Sequence, residues 1–152
     1  MPKLDLDSFR ELNSTTYPAP FVDVMKKRHF RRLGPGSGLT EFGVSLVRVE
    51  PGGVSSQRHW HEDEDEFVVI LTGEAFLVED EGEVLMRPGD CASFPKGVAN
   101  AHHLVNRGSN ECTFIAVGRP VGGGCHYPDV DLDWDAASQR FVHRDGTPWA
   151  EE

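Results

Sequence analysis

The chain has 152 residues, 38% of them hydrophobic and 26% charged, a composition and length that suit one folded domain and exclude a disordered chain. Fifteen Lys and Arg against 25 Asp and Glu leave a formal net charge of −10, so phosphate backbones and anionic lipid are repelled and neither nucleic acid nor a membrane is an expected partner. The longest strongly apolar run, Phe67 to Leu71, falls far short of the roughly 20 residues of a membrane helix.

Residues 1–27 read as an N-terminal arm. The opening MPKLDLDSFRELNS has neither the basic nor the apolar region of a secretory signal, which predicts a cytoplasmic protein. Pro2, Pro18 and Pro20 among Leu, Ser and Thr suit a short helix or an extended segment lying on the main body. The basic cluster Lys26, Lys27, Arg28, Arg31 and Arg32 is read as a solvated face or a rim of oligomer contacts.

From residue 28 to 120 the pattern changes to short runs of Val, Phe, Ile and Leu separated by turns such as GPGSG (34–38), PGG (51–53) and RPGD (87–90). Strands are expected at 28–33, 39–50, 57–61, 66–71, 75–80, 83–87, 91–94, 101–106 and 112–118. No helical periodicity separates them, which predicts an all-β sandwich or barrel. Gly73, and the Glu81-Gly82 pair, fall where tight hairpins would join antiparallel neighbours. Within 66–71, Glu66, Val68 and Ile70 share one face and Phe67, Val69 and Leu71 the other. A strand apolar on both faces needs cover on both, and this predicts a homodimer unless the tail or a second sheet supplies it.

Residues 121–152 form a C-terminal tail that is glycine-rich, then acidic, with RFVHRDG as part of a short hairpin. Its aromatics, Tyr127, Trp134, Phe141 and Trp149, are too many for a free linker and are expected to dock on the barrel or on a partner subunit. Cys91, Cys112 and Cys125 are odd in number and lack a CxxC pair, which reads as free thiols that pack in a reducing compartment. His126 and His143 are isolated and are given no role.

The chemistry concentrates at residues 53–73. On a strand, His59 and His61 share a face and aim both imidazoles at one point. The four residues EDED allow a bend that returns Glu66 to complete a set of two histidines and one carboxylate, suited to Fe, Mn, Ni or Zn as a divalent ion. Gln57 has the parity of the two histidines and is a candidate substrate contact, whereas Arg58 and Trp60 should point away. Glu62 to Asp65 read as a solvated acidic bend. GPGSG and VGGG lack a following Lys-Ser/Thr and are turns, not phosphate-cradling loops.

Gly53, His59, His61, Glu66 and Gly73 match every fixed position of G-x5-HxH-x4-E-x6-G, a form of the first motif of the cupins, and in this the chain resembles that family. Its second motif, G-x5-PxG-x2-H-x3-N, is matched at Gly89, Pro95 and Gly97, but Asn100 stands where the histidine belongs and His102-HLV-Asn106 follows two residues late. The resemblance, over roughly residues 40–118, implies a double-stranded β-helix or jelly-roll barrel with a metal inside. It leaves the fourth ligand open among His102, His103 and Asn100. His102 is favoured because it keeps the spacing to Asn106, and His103 is the alternative if a bulge swaps their directions. The implied protein is a metal-dependent enzyme acting on a small organic molecule, of dioxygenase, isomerase or lyase type, with Glu66 also serving as the catalytic carboxylate. Two competing readings are a non-catalytic ligand-binding or sensor barrel and a barrel whose metal only ties strands together. No recognition helix is apparent, which argues against a self-contained transcription factor.

Overall fold

Period-two burial organises the chain in the computed structural model, which describes residues 2–119 and 122–150. One sheet contains β1 (Arg28–Arg32), β2 (Gly43–Val49), β9 (Cys112–Gly118), β4 (Glu66–Thr72) and β7 (Cys91–Phe94), in the order β1-β2-β9-β4-β7. The opposite wall has two parts: β6-β5-β8, from β5 (Ala75–Glu79), β6 (Gly82–Met86) and β8 (His103–Val105), and β12-β11-β10-β3, from β3 (Trp60–His61), β10 (Cys125–Tyr127), β11 (Leu132–Asp135) and β12 (Arg140–Val142). Bridges between Val54 and Val105 and between His59 and His102 join those parts. Every strand pairing is antiparallel. Val47, Val68, Ile70 and Phe114 of the first sheet pack against Leu77, Met86 and Leu104 of the second, which gives the expected all-β jelly-roll barrel. Each such side chain, fully buried, contributes about 1.5–3 kcal/mol relative to exposure.

Several sequence expectations change: the strands expected at 39–50 and 101–106 shorten to Gly43–Val49 and His103–Val105, and Leu33–Gly36, expected as a strand end and turn, is a short helix. β4 and β5 do not pair across Gly73, because β4 lies between β9 and β7 while β5 lies between β6 and β8. Gly73 is instead the point where the chain passes from one wall to the other, with φ of 70° and no room for a side chain: a Cβ there would stand 2.2 Å from the Glu111 carbonyl oxygen. The hairpin at Glu81-Gly82 forms as expected, joining β5 and β6. The strand expected at 57–61 shrinks to Trp60–His61, because Ser55 Oγ accepts from the Leu104 amide and the Ser55 amide donates to the Leu104 carbonyl, which replaces a regular ladder there.

The arm is held to β1 by reciprocal backbone hydrogen bonds between Leu12 and Phe30, and Asn13 Nδ2 donates to the carbonyls of Lys26 and Arg28. The C-terminal strands extend the second wall through β10 on β3. Their aromatics build a second core, in which buried Leu132, Tyr127 and Cys125 are packed by Tyr17, Phe21, Trp134, Phe141 and Trp149. Among the described residues no helix is long and apolar enough to cross a membrane.

Candidate metal centre

Three backbone elements bring the cluster together. Glu66 begins β4 on the inward face shared with buried Val68 and Ile70. His61 lies on β3, and His59 is locked to His102 across the wall by a pair of backbone hydrogen bonds, His59 amide to His102 carbonyl at 3.1 Å and the reverse at 2.9 Å. Phe94, opposite Glu66 in the β4–β7 register, stacks flat on the His102 ring with centroids 3.5 Å apart, which fixes the imidazole plane.

All three imidazoles turn the same edge to one carboxylate. Glu66 Oε1 lies 3.1 Å from His61 Nε2, 3.1 Å from His102 Nε2 and 3.4 Å from His59 Nε2. His59 Nδ1 is 2.8 Å from the Gln57 carbonyl and His102 Nδ1 is 3.1 Å from the Asn100 carbonyl. A carbonyl only accepts, so each Nδ1 carries the hydrogen, and in the neutral ring Nε2 presents its lone pair to the carboxylate. Lone pairs meeting a carboxylate repel unless a cation or added protons stand between them. The donor set of imidazole nitrogen and carboxylate oxygen therefore fits a divalent transition ion, and the carbonyls orient the rings for it. His59, Glu66 and His102 place their ligating atoms within 4.8 Å of one another.

The electrostatics follow from burial and these contacts. Burial would raise the Glu66 carboxyl, but its close contacts with His102, His59 and His61 outweigh burial and hold the group far below the usual carboxylate range. Burial would likewise depress His61, and hydrogen bonds with Cys125 and Glu66 push it up to about 11. Burial raises Glu64 to about 7.

His103 turns elsewhere: its Nδ1 donates to the Ser56 carbonyl at 2.8 Å, and burial lowers its pKa. Gln57 serves through its backbone, its carbonyl orienting His59 and its amide donating to Tyr17 Oη at 3.3 Å, and it is not among the residues lining the cavity. Arg58 points away, as its parity requires, onto Asp80 and Asp129, and Trp60 packs on His126. His126 sits between Glu62 and Asp133, and His143 binds Asp131.

Several residues near the cluster escaped the sequence reading. Cys125 faces His61 across the β3–β10 pairing, and its Sγ lies within 4.8 Å of ligating atoms of both His59 and His61. Glu64, expected in a solvated bend, is half-buried with Oε2 3.5 Å from His61 Nδ1. The cluster opens into a cavity of about 610 Å³ that also reaches Tyr17, Tyr127, Arg28 and Arg32. Arg28 and Arg32 are thus not simply a solvated face. The available signal was the alternation Arg28, Phe30, Arg32, which places an apolar residue between the two cations on one strand face.

Comparison with known proteins agrees with this architecture. Residues 45–118 match the family model described as Cupin domain. No curated protein matches the chain. Among solved structures, the chain is similar to a sugar phosphate isomerase from a cupin superfamily of Silicibacter pomeroyi DSS-3, with 44% identity over 98% of this chain and 97% of that one and a TM-score of 0.90. It is similar also to a candidate sugar phosphate isomerase of Acidithiobacillus ferrooxidans ATCC 23270, with 26% identity, 82% and 81% coverage and a TM-score of 0.71. A polyketide cyclase of Streptomyces resistomycificus follows at 25% identity, 78% coverage of each chain and a TM-score of 0.63.

Proposed function

The chain belongs to the cupin superfamily, and on that footing we propose that it is a divalent-metal-dependent isomerase acting on a small phosphorylated sugar. The observation that carries the metal is the convergence of three imidazole Nε2 atoms on Glu66 Oε1 while the Nδ1 hydrogens of His59 and His102 are committed to carbonyls. His59, His61, Glu66 and His102 hold the ion, and Fe, Mn, Ni and Zn all suit that donor set. When bound, the cation supplies Lewis acidity to a carbonyl or hydroxyl oxygen of the substrate.

The chain's own groups do the rest. Interconversion of an aldose and a ketose moves one proton between neighbouring carbons and one between their oxygens, and needs no external oxidant. Glu66 is the group that moves it, since a carboxylate exchanges between cation and proton with little charge imbalance. Phe94 holds the His102 ring, and Tyr17 and Tyr127 meet edge to face at 5.6 Å to narrow the cavity. The sugar-phosphate substrate class is supported by the name of the Silicibacter relative, which matches nearly the whole chain.

The outward face of β4, with Phe67 and Leu71 at 40% and 44% exposure, supports a homodimer in solution. Free cysteines, two of them buried, support a cytoplasmic location.

The test is turnover of aldose and ketose phosphates by chelator-treated protein before and after reloading with each divalent ion. Activity that returns with metal and is lost in Glu66→Gln supports the reading. Metal and sugar-phosphate binding without turnover in any reloaded form would make the barrel a ligand-holding module instead.

A further inference from the structure

The cavity carries a second polar feature, away from the histidines. On β1, Arg28, Phe30 and Arg32 share one face, and all three line the cavity. The two guanidinium carbons lie 4.8 and 5.6 Å from the centroid of the Phe30 ring. Arg31, Arg48, Arg58, Arg87 and Arg107 each pair with a carboxylate. Among the described residues Arg28 and Arg32 have no such partner. Arg28 donates from Nη2 to the Ser14 carbonyl at 2.9 Å, while its buried Nε has no acceptor. Arg28, half-buried with an orphaned Nε, is costly to hold as a cation at the cavity wall, and an anion bound between it and the exposed Arg32 would satisfy it.

We propose that Arg28 and Arg32, with Ser14, Thr15 and Thr16 that line the same cavity, bind the phosphate group of a phosphate monoester substrate and so determine its specificity and orientation. Guanidinium groups donate in pairs to phosphate oxygens, and hydroxyls take up the remaining lone pairs. The register sets the span. Arg32 lies opposite Ser45, Ser45 opposite Ala116, and Ala116 opposite Val68, two residues from Glu66. Three strand spacings of ~4.8 Å separate β1 from β4, about 14 Å across the sheet. An inward arginine, a short phosphorylated polyol and the Glu66 side chain fill that span together. The phosphate lies at β1, and the carbonyl end lies at the imidazoles.

The inference deepens the isomerase reading and rests on it for the chemistry at the far end of the substrate, but phosphate capture is measured separately. The experiment is calorimetric titration of inorganic phosphate into wild-type protein, Arg32→Gln and Arg28→Gln. It is repeated on a His59→Ala background, where phosphate cannot be held by a resident ion, and metal content and thermal unfolding are recorded in parallel. Arg32, which among the described residues makes no hydrogen bond to the arm, is the variant that keeps its fold if Arg28→Gln loosens Ser14. Arg32→Gln is expected to weaken phosphate binding about tenfold or more, on both backgrounds, with metal content unchanged. In turnover it raises KM for the phosphorylated sugar more than it lowers kcat. Phosphate binding that is unchanged in Arg32→Gln overturns the subsite, whether or not the protein is an isomerase. Arginine-dependent phosphate binding in a protein that turns over no sugar phosphate upholds the subsite and sinks the isomerase reading alone.

Discussion

His61 binds protons in the metal-free cluster far more tightly than an unfolded histidine does, because its contacts with Cys125 and Glu66 overcome the burial that opposes them and raise it from 6.5 to about 11. The folded state therefore holds a proton that the unfolded state loses above 6.5, and the associated stability, complete below that pH, declines as pH rises towards 11. Thermal unfolding of metal-free protein should show this decline in the wild type and a flatter profile in His61→Gln. A wild-type profile no steeper than the variant's would mean that His61 titrates normally. Metal displaces the same proton, so affinity should fall as the solution is made more acidic. At the neighbouring pair, His102→Ala should lower metal affinity at least about tenfold, whereas His103→Ala, whose ring is spent on the Ser56 carbonyl, should leave metal content near the wild-type level. Equal losses in both, read by elemental analysis, would contradict the placement of the two rings.

At the scale of elements, the passage from β4 to β5 and the aromatic packing of β10 to β12 are the points most open to test. Gly73→Ala places a Cβ against the Glu111 carbonyl in a backbone conformation that L residues avoid, and should cost about 2 kcal/mol or more in urea unfolding. Leu132→Ala opens a hole in the second core and should cost about 2–5 kcal/mol. A loss within error of zero would show that β10–β12 contribute little to the folded state. These elements also show what local pattern can and cannot reveal. His59, His61 and Glu66 were legible because strand parity and a short bend govern where they point, and His102 because its spacing to Asn106 survives the irregular second motif. The hairpin at Gly82 was legible for the same reason. Gly73 was misread because apolar runs on both sides look alike for a hairpin and for a crossing between sheets, and only distant pairing with β9 and β8 decides. Cys125 depends on β10 joining β3, which no local window contains, while for Arg28 the alternation with Phe30 and Arg32 was visible locally but the wall that β1 joins was not.

In the whole molecule the inner face of the first sheet closes the cavity, and its outer face, with exposed Phe67 and Leu71, is the surface we propose meets a second copy. Light scattering should give twice the chain mass, and Phe67→Glu with Leu71→Glu should halve it without lowering metal content. A wild-type protein at the single-chain mass would leave that face simply solvated. The claim on which everything else depends is that His59, His61, Glu66 and His102 enclose a single divalent ion. Calorimetric titration of zinc into metal-free protein tests it most directly: the wild type should take up a single ion per chain with release of protons, and His59→Ala and His61→Ala should each lose most of that binding. Uptake of zinc with wild-type affinity and stoichiometry in both variants would contradict it.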